Sequence, residues 1–292
     1  MSFDGHLGFT GSPLDRGDHL RRDAAAIQAL RMSPTARFLI LDDLKPLMAD
    51  SGDLFWARRS EAPPGLSIFL GLTPEGEPRF AVDGKADDDL PARPTDARAA
   101  GAALGDGRAA ILAQARSVLD WHRRHGFCAN CGAPTTPEKA GYSRLCGGCG
   151  AEHFPRVDPV VIMLAERQGK VLVGRGPRFP ARFFSALAGF VEPGESLEEA
   201  VARELFEEAG VRVRNVRVGA SQPWPFPSSL MMGAFAEADS FDLTLDESEV
   251  AEARWVTREE VQAALNGEGD WNAPPPLAIA HWLLSTWASA AG

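Results

Sequence analysis

The 292-residue chain sets 30 Lys plus Arg against 40 Asp plus Glu, a formal net charge of −10. That balance disfavours a dedicated duplex-DNA binder, whose affinity comes from neutralising phosphates with a basic surface. At 45% hydrophobic and 24% charged residues the composition is that of an ordinary globular protein, and the length suits two domains better than a small disulfide-stapled scaffold. The longest apolar run, Val160 to Ala165, is far below the roughly 18 residues of a membrane-spanning helix. The N-terminal stretch MSFDGHLGFTGSPLDRGDHLRR lacks a basic start followed by an apolar segment and a cleavage site, so a cytoplasmic protein without a membrane partner is expected. In that compartment cysteines are usually reduced thiols or metal ligands.

Residues 1–105 carry strand-like runs at 38–41 and 66–70, separated by turns rich in Pro, Gly and Asp. The stretch 83–96 reads as a loop or linker. A helix is expected over about 107–125, where Ile111, Ala115, Val118, Leu119 and His122 recur at three- and four-residue spacing. From residue 157 onward, strand patterns at 160–164 and 170–173 alternate with helical ones, an α/β signature.

All four cysteines fall in one stretch, Cys128-x2-Cys131-x14-Cys146-x2-Cys149. A Cys-x2-Cys turn aims two thiolates at one ion, and Gly132 and Gly150 supply backbone freedom after each second cysteine. Four thiolates complete a tetrahedral shell with no open position, which points to one structural Zn²⁺ per chain; a redox dithiol pair and an iron–sulfur site are the alternatives. Residues 121–156 hold Arg123, Arg124, Lys139, Arg144 and Arg156 against only Glu138 and Glu152. This local basic excess suits nucleic acid or is simply a solvated surface.

The segment from Gly189 to Val211 is the most informative. Ser196 with Glu199 forms a capping box after Pro193 and Gly194, and Gly210 is a C-terminal stop, so a helix is expected over about 197–209. On it Leu197, Val201 and Leu205 line the apolar face, and Glu204 and Glu208 fall in the same sector. Buried carboxylates are costly unless a cation compensates them, and clustered carboxylate oxygens suit hard ions such as Mg²⁺ or Mn²⁺ acting with substrate phosphates. The competing reading is an exposed acidic helix paired to Arg203. Downstream, Ser221-Gln222-Pro223-Trp224-Pro225-Phe226-Pro227-Ser228-Ser229 alternates proline with aromatics, an extended strip that forms either a stacking wall or a plug for the core.

Residues 189–211 match G-x5-E-x7-R-E-U-x-E-E-x-G-U, with U apolar, at every defined position, and so resemble the Nudix box. The proline–aromatic segment resembles the S-Q-P-W-P-F-P-x-S signature of the NADH pyrophosphatase branch of that family, in which a four-cysteine ribbon, the box and this signature occur in the same order. The resemblance implies a Nudix α/β/α sandwich over residues 157–292, a zinc ribbon over 126–156 and an N-terminal α+β domain over 1–125 for dimerisation or support. It implies metal-dependent hydrolysis of NADH or NAD⁺ to nicotinamide mononucleotide, reduced or oxidised, and AMP, in a homodimer. Removal of an NAD cap from RNA by the same chemistry and a non-catalytic binding role are the alternatives.

Carried over by position, Glu204, Glu207 and Glu208 become ligands of more than one Mg²⁺ or Mn²⁺, together with the backbone of Ala188. One of the glutamates can also activate water, Arg203 orients a carboxylate, and Glu195 supports the loop. Among Asp246, Glu247, Glu249 and Glu252, which the sequence alone reads as a solvated acidic loop, the resemblance selects Glu249 as a further ligand. Substrate contacts are expected from Gln222 through Ser229, from Phe154 and Phe190 around the nicotinamide, and from Ala280.

Overall fold

The computed structural model describes residues 7–290, which form two compact units. One comprises Phe9–Val157 and Trp224–Ser228; the other holds the rest.

In the first unit α1 (Ala24–Met32) precedes β1 (Arg37–Asp42), β2 (Lys45–Ala49), β3 (Trp56–Ala57), β4 (Ser67–Leu72), β5 (Pro78–Asp83) and β6 (Ala92–Pro94). The sheet runs β4-β5-β1-β2-β6, with β3 beside β1. β1 pairs in parallel with β5, and its apolar run is buried from Phe38 to Leu41, as a central strand requires. Phe38 and Phe80 stack at 5.3 Å across this pair. Within the stretch expected as a loop the structure places β6, which adds to β2 with Ala49 opposite Ala92; Pro94 is tolerated there because the strand lies at the sheet edge.

After α2 (Ala97–Ala103), the helix α3 (Arg108–Arg124) packs on β4 and β5 and is buried along most of its length. The zinc-ribbon strands β7 (Thr135–Glu138), β8 (Ser143–Cys146) and β9 (Glu152–His153) form a separate antiparallel sheet in this same unit. The ribbon strands and α3 thus lie in one unit. A buried polar network ties α3 to the ribbon: Arg144 donates to Thr135 Oγ1 at 2.7 Å, to Thr135 O at 2.7 Å and to His122 Nδ1 at 2.7 Å. With Nδ1 accepting, His122 donates from Nε2 to Gly141 O at 2.8 Å. Burial, with Arg144 beside it, holds the imidazole down to about 4, so it stays neutral.

The second unit is built on β10 (Asp158–Arg167), β11 (Lys170–Arg175), β12 (Leu187–Phe190), β13 (Val213–Trp224), β14 (Ser229–Ala238) and β15 (Glu252–Thr257). Its sheet runs β13-β14-β10-β11-β15, with β12 also on β10; β10 and β14 are parallel over Asp158–Glu166 and Ser229–Glu237. The period of two in β10 makes the layers. Val161, Met163 and Ala165 face one cluster with Val201 and Leu205 of α4 (Leu197–Ala209), and Ile162 and Leu164 face another with Leu283 and Leu284 of α6 (Ile279–Ser289). Val261 of α5 (Arg258–Leu265) joins the α6 layer. This is the expected Nudix α/β/α sandwich, in which a strand buried on both faces reads as a continuous apolar run.

Candidate active site

Helix α4 begins and ends where the sequence places it. Ser196 Oγ accepts from Glu199 N at 3.2 Å, Glu199 accepts from Ser196 N at 2.6 Å, and Gly210 caps the C-terminus. Its apolar face is clamped to the sheet, which drives Glu204 and Glu208 inward; both are buried. Glu204 lies so close to β12 that a Cβ on Gly189 would collide with its carboxylate, so a side chain there would displace it.

Carboxylate oxygens of Glu204, Glu208 and Glu249 lie within 4.8 Å of one another. Burial, reinforced by Glu204, Glu249 and Asp246, pushes the Glu208 carboxyl up to about 8. Burial raises Glu204 as well, against the pull of Arg203. Three acids converge without enough positive charge to balance them. Their all-oxygen donor set, part buried and part open at exposed Glu249, fits a hard divalent cation.

Arg203 organises one side of this group. Its guanidinium takes Glu195 as a bidentate partner at 3.0 and 2.6 Å and reaches Glu204 at 2.9 Å, Glu207 at 2.9 Å and the carbonyl of Phe190 at 2.9 Å. Glu195 is held down to about 2 by Arg203 and also accepts from Glu192 N at 2.7 Å, which pins the loop entering α4. Glu207 is exposed and ion-paired here, outside the group of three carboxylates. Ala188 pairs with Ile162 on β12, one residue before the strand's contact with Glu204.

The four cysteines also converge, free of disulfides. Sγ of Cys128 lies 3.7 Å from that of Cys149, and Cys131 lies 3.5 Å from Cys146, close to the edge of about 3.8 Å that four 2.3 Å Zn–S bonds give. The two knuckles repeat one design. Gly132 N donates to Cys128 O at 2.9 Å and Gly150 N to Cys146 O at 3.1 Å, with both glycines left-handed at φ 75° and 73°. Backbone N–H groups of Cys149 and Gly148 hold the Cys146 thiol below its ordinary range, which favours the thiolate form that zinc binds. Ring atom Nε2 of His153, which the sequence reading did not single out, lies 3.2 Å from Cys128 Sγ.

The proline–aromatic segment is no extended strip. Residues 221–224 end β13, 225–228 turn, and Ser229 begins β14, because the chain must reverse to continue the sheet. The tip, Trp224–Ser228, belongs to the first unit. Trp224 and Phe226 meet edge-on at 5.4 Å and contact Phe9 at 5.8 and 5.9 Å, Arg98 and Arg116 lie 4.0 and 4.7 Å from the Phe226 ring centre, and Arg116 donates to Pro225 O. These partners, remote in sequence, left no local signal.

Three expected substrate contacts are internal, Pro225 among them. Gln222 is fully buried, donates to Gly8 O at 2.9 Å and Leu277 O at 2.8 Å and accepts from Ile279 N at 2.9 Å, so its amide is spent holding the start of α6. Ala280 is 2% exposed in the α6 cluster, turned inward by the helix. By contrast Pro223 and Pro227 are exposed, as are the rings of Phe154 and Phe190.

Against this geometry, the NUDIX domain matches residues 155–276, the NADH pyrophosphatase zinc ribbon domain 123–154, and the NADH pyrophosphatase-like rudimentary NUDIX domain 35–121. The chain is 39% identical over 292 residues to the NAD-capped RNA hydrolase NudC of Mycobacterium bovis, covering 94% of this chain and 92% of that one. The chain belongs to the NADH pyrophosphatase branch of the Nudix hydrolases.

The Mycobacterium tuberculosis NAD-capped RNA hydrolase NudC is likewise 39% identical, with the same coverage of 94% and 92%. The human NAD-capped RNA hydrolase NUDT12 is 48% identical over 197 residues, 63% of this chain and 42% of that one. A crystal structure of a Nudix hydrolase from Nitrosomonas europaea is similar over 56% of this chain and 89% of its own, at 25% identity and a TM-score of 0.46. This Nudix hydrolase thus carries zinc in its ribbon and uses Mg²⁺ or Mn²⁺, and the described residues include no helix long and apolar enough to cross a membrane. Residues 35–121 lie within the N-terminal α+β domain expected over 1–125, but their rudimentary Nudix character was not legible in the sequence, since that stretch lacks a carboxylate box.

Proposed function

We propose that the protein hydrolyses the pyrophosphate bond of NADH or NAD⁺ to nicotinamide mononucleotide, reduced or oxidised, and AMP. The convergence of Glu204, Glu208 and Glu249 carries this reading. These residues hold the divalent ions with the backbone of Ala188, and Glu207, at the exposed end and held by Arg203, is the ligand left for a second ion. Bound Mg²⁺ or Mn²⁺ supplies charge neutralisation on the pyrophosphate oxygens and activation of the attacking water. One of the glutamates accepts the proton of that water, Arg203 keeps the carboxylates oriented, and no covalent intermediate is needed. By resemblance, Phe190 and Phe154, whose rings are exposed, are nicotinamide contacts and Pro223 through Ser229 and Ala280 are substrate contacts, while buried Gln222 holds the start of α6.

The NAD-capped RNA hydrolases among its relatives support a second substrate, RNA capped with NAD, which presents the same pyrophosphate. The basic excess of residues 121–156 suits its phosphates. A homodimer and a reducing, cytoplasmic compartment complete the proposal. Purified protein with Mg²⁺ or Mn²⁺ is incubated with NADH, NAD⁺ and NAD-capped RNA, and the products are separated chromatographically. Release of AMP or of 5′-monophosphate RNA is expected; absence of cleavage in every arm contradicts the reading.

A further inference from the structure

Between β11 and β12, Arg175-Gly176-Pro177-Arg178-Phe179-Pro180-Ala181-Arg182-Phe183 interleaves three arginines with two phenylalanines in an otherwise acidic chain. The loop is a built element. Its neck is closed by Gly174 and Ser185, which exchange backbone hydrogen bonds at 2.9 Å. Two turns shape it, with Phe179 N donating to Gly176 O at 3.1 Å and Phe183 N to Pro180 O at 2.9 Å. Arg182 braces one arm through Asp270 O at 2.8 Å and Gly269 O at 2.9 Å, and Arg175 pairs with Glu252 at 3.4 Å on the other.

Two side chains are left unspent by this scaffold. Arg178 is exposed and has no side-chain partner among the described residues. Phe179 is 52% exposed, its ring backed by Phe183 at 4.9 Å and a tilt of 35°. A single exposed phenylalanine is ordinary. Its position is not: a Cβ built on Gly176 would lie 3.4 Å from the Glu249 carbonyl and 3.5 Å from the Phe179 ring, so the loop flanks the chain segment that carries the third carboxylate. An aromatic face and a free guanidinium on adjacent residues, beside a cation site for pyrophosphate, are the parts that hold a base by stacking and a phosphate by charge-assisted pairing.

We propose that Arg178 and Phe179 form a nucleotide subsite of this enzyme, in which the ring stacks on a base and the guanidinium pairs with a phosphate on the Glu249 side of the metal carboxylates. The inference rests on the proposed hydrolase reading. The shared ligand chemistry is a nucleoside phosphate, either the adenosine half of the free dinucleotide or a nucleotide of the RNA chain behind an NAD cap. A purely structural ring would be replaced well by leucine, whereas a stacking ring is replaced only by another aromatic.

The test compares the full-length protein with Phe179→Ala, Phe179→Leu, Phe179→Trp and Arg178→Gln, reading kcat and KM on NADH and on a short NAD-capped RNA, and AMP affinity by calorimetry. Phe179→Ala and Phe179→Leu are expected to raise KM about tenfold, with Trp restoring it, a loss typical of one base–aromatic stack. A rise on both substrates assigns the subsite to the cap's own adenosine, and a rise on capped RNA alone assigns it to the RNA chain. Arg178→Gln is expected to weaken the same substrate and flatten its salt dependence. Unchanged KM and AMP affinity in Ala and Leu variants of an active enzyme overturn the subsite, while an inactive wild type that still binds AMP through Phe179 faults only the hydrolase reading.

Discussion

The two metal-binding clusters of this protein are opposites in construction. The ribbon gathers four thiolates from a single short stretch, with both knuckles closed by the same backbone bonds, and a tetrahedral ion there has no free position. The Nudix unit gathers carboxylates from α4 and from a loop beyond β14, leaves Glu249 exposed, and holds Glu208 in a state that strongly disfavours its charge. A closed soft site holds a fold together. An open hard site, short of positive charge, is built to take up cations together with an anionic substrate.

That contrast sets the order of expected effects. The largest is at the open site. Glu208→Gln is expected to lower kcat by about 10²–10³-fold, the usual size for losing one preorganised electrostatic group, with the melting temperature retained or raised. Steady-state kinetics beside a thermal melt checks it, and a kcat within threefold of wild type breaks the distinction between the clusters.

Arg203→Lys comes next. Lysine keeps the charge but cannot serve Glu195 as a fork while reaching Glu204, Glu207 and the Phe190 carbonyl, so a drop of about 10–100-fold in kcat is expected. A titration of activity against Mn²⁺ concentration should show weaker apparent metal affinity as well.

At the closed site the response should be structural. Cys146→Ser, or prolonged chelation, is expected to release the ribbon zinc and lower the melting temperature, because binding energy at such a site is folding energy. Activity measured well below the new melting point should fall less than in Glu208→Gln. Zinc content by atomic absorption, set against kcat, sharpens the comparison; equal collapse of kcat in both variants would erase it.

The smallest effect concerns pH. Folding raises the Glu208 carboxyl from 4.5 to about 8, so in metal-free protein this group favours the folded state most below about 4.5 and loses that contribution as pH rises through about 8. Denaturant midpoints of chelated protein are expected to decline from pH 5 to pH 9, and the decline should shrink in Glu208→Gln or on adding Mg²⁺. The same sign makes divalent-ion affinity increase with pH over that interval, since binding expels the proton.

Much of this was legible in the chain because the signals are local. Ser196, Glu199 and Gly210 delimit α4 by capping chemistry, and the cysteine spacing is itself the ribbon's geometry. Even the conflict of Glu204 and Glu208 with the apolar face of α4 is readable from helical periodicity. What escaped depends on contacts between distant residues. Nothing near Gln222 announces that its amide is consumed by Gly8, Leu277 and Ile279, or near Phe226 that Phe9, Arg98 and Arg116 will surround it. The alternation of proline and aromatic residues suggests an extended strip only until β13 and β14 require a reversal there. Likewise β6 is too short to read, and gains its identity from β2.

The central claim is that Glu204, Glu208 and Glu249 form an open divalent-cation site that cleaves a nucleotide pyrophosphate. Its most direct test follows NADH cleavage against Mn²⁺ concentration in zinc-replete wild type, Glu208→Gln and Glu249→Gln. The account predicts saturable, metal-dependent release of AMP and reduced nicotinamide mononucleotide by the wild type, with both variants requiring more Mn²⁺ and turning over far more slowly. Metal-independent cleavage, or variants indistinguishable from wild type across the titration, would contradict it.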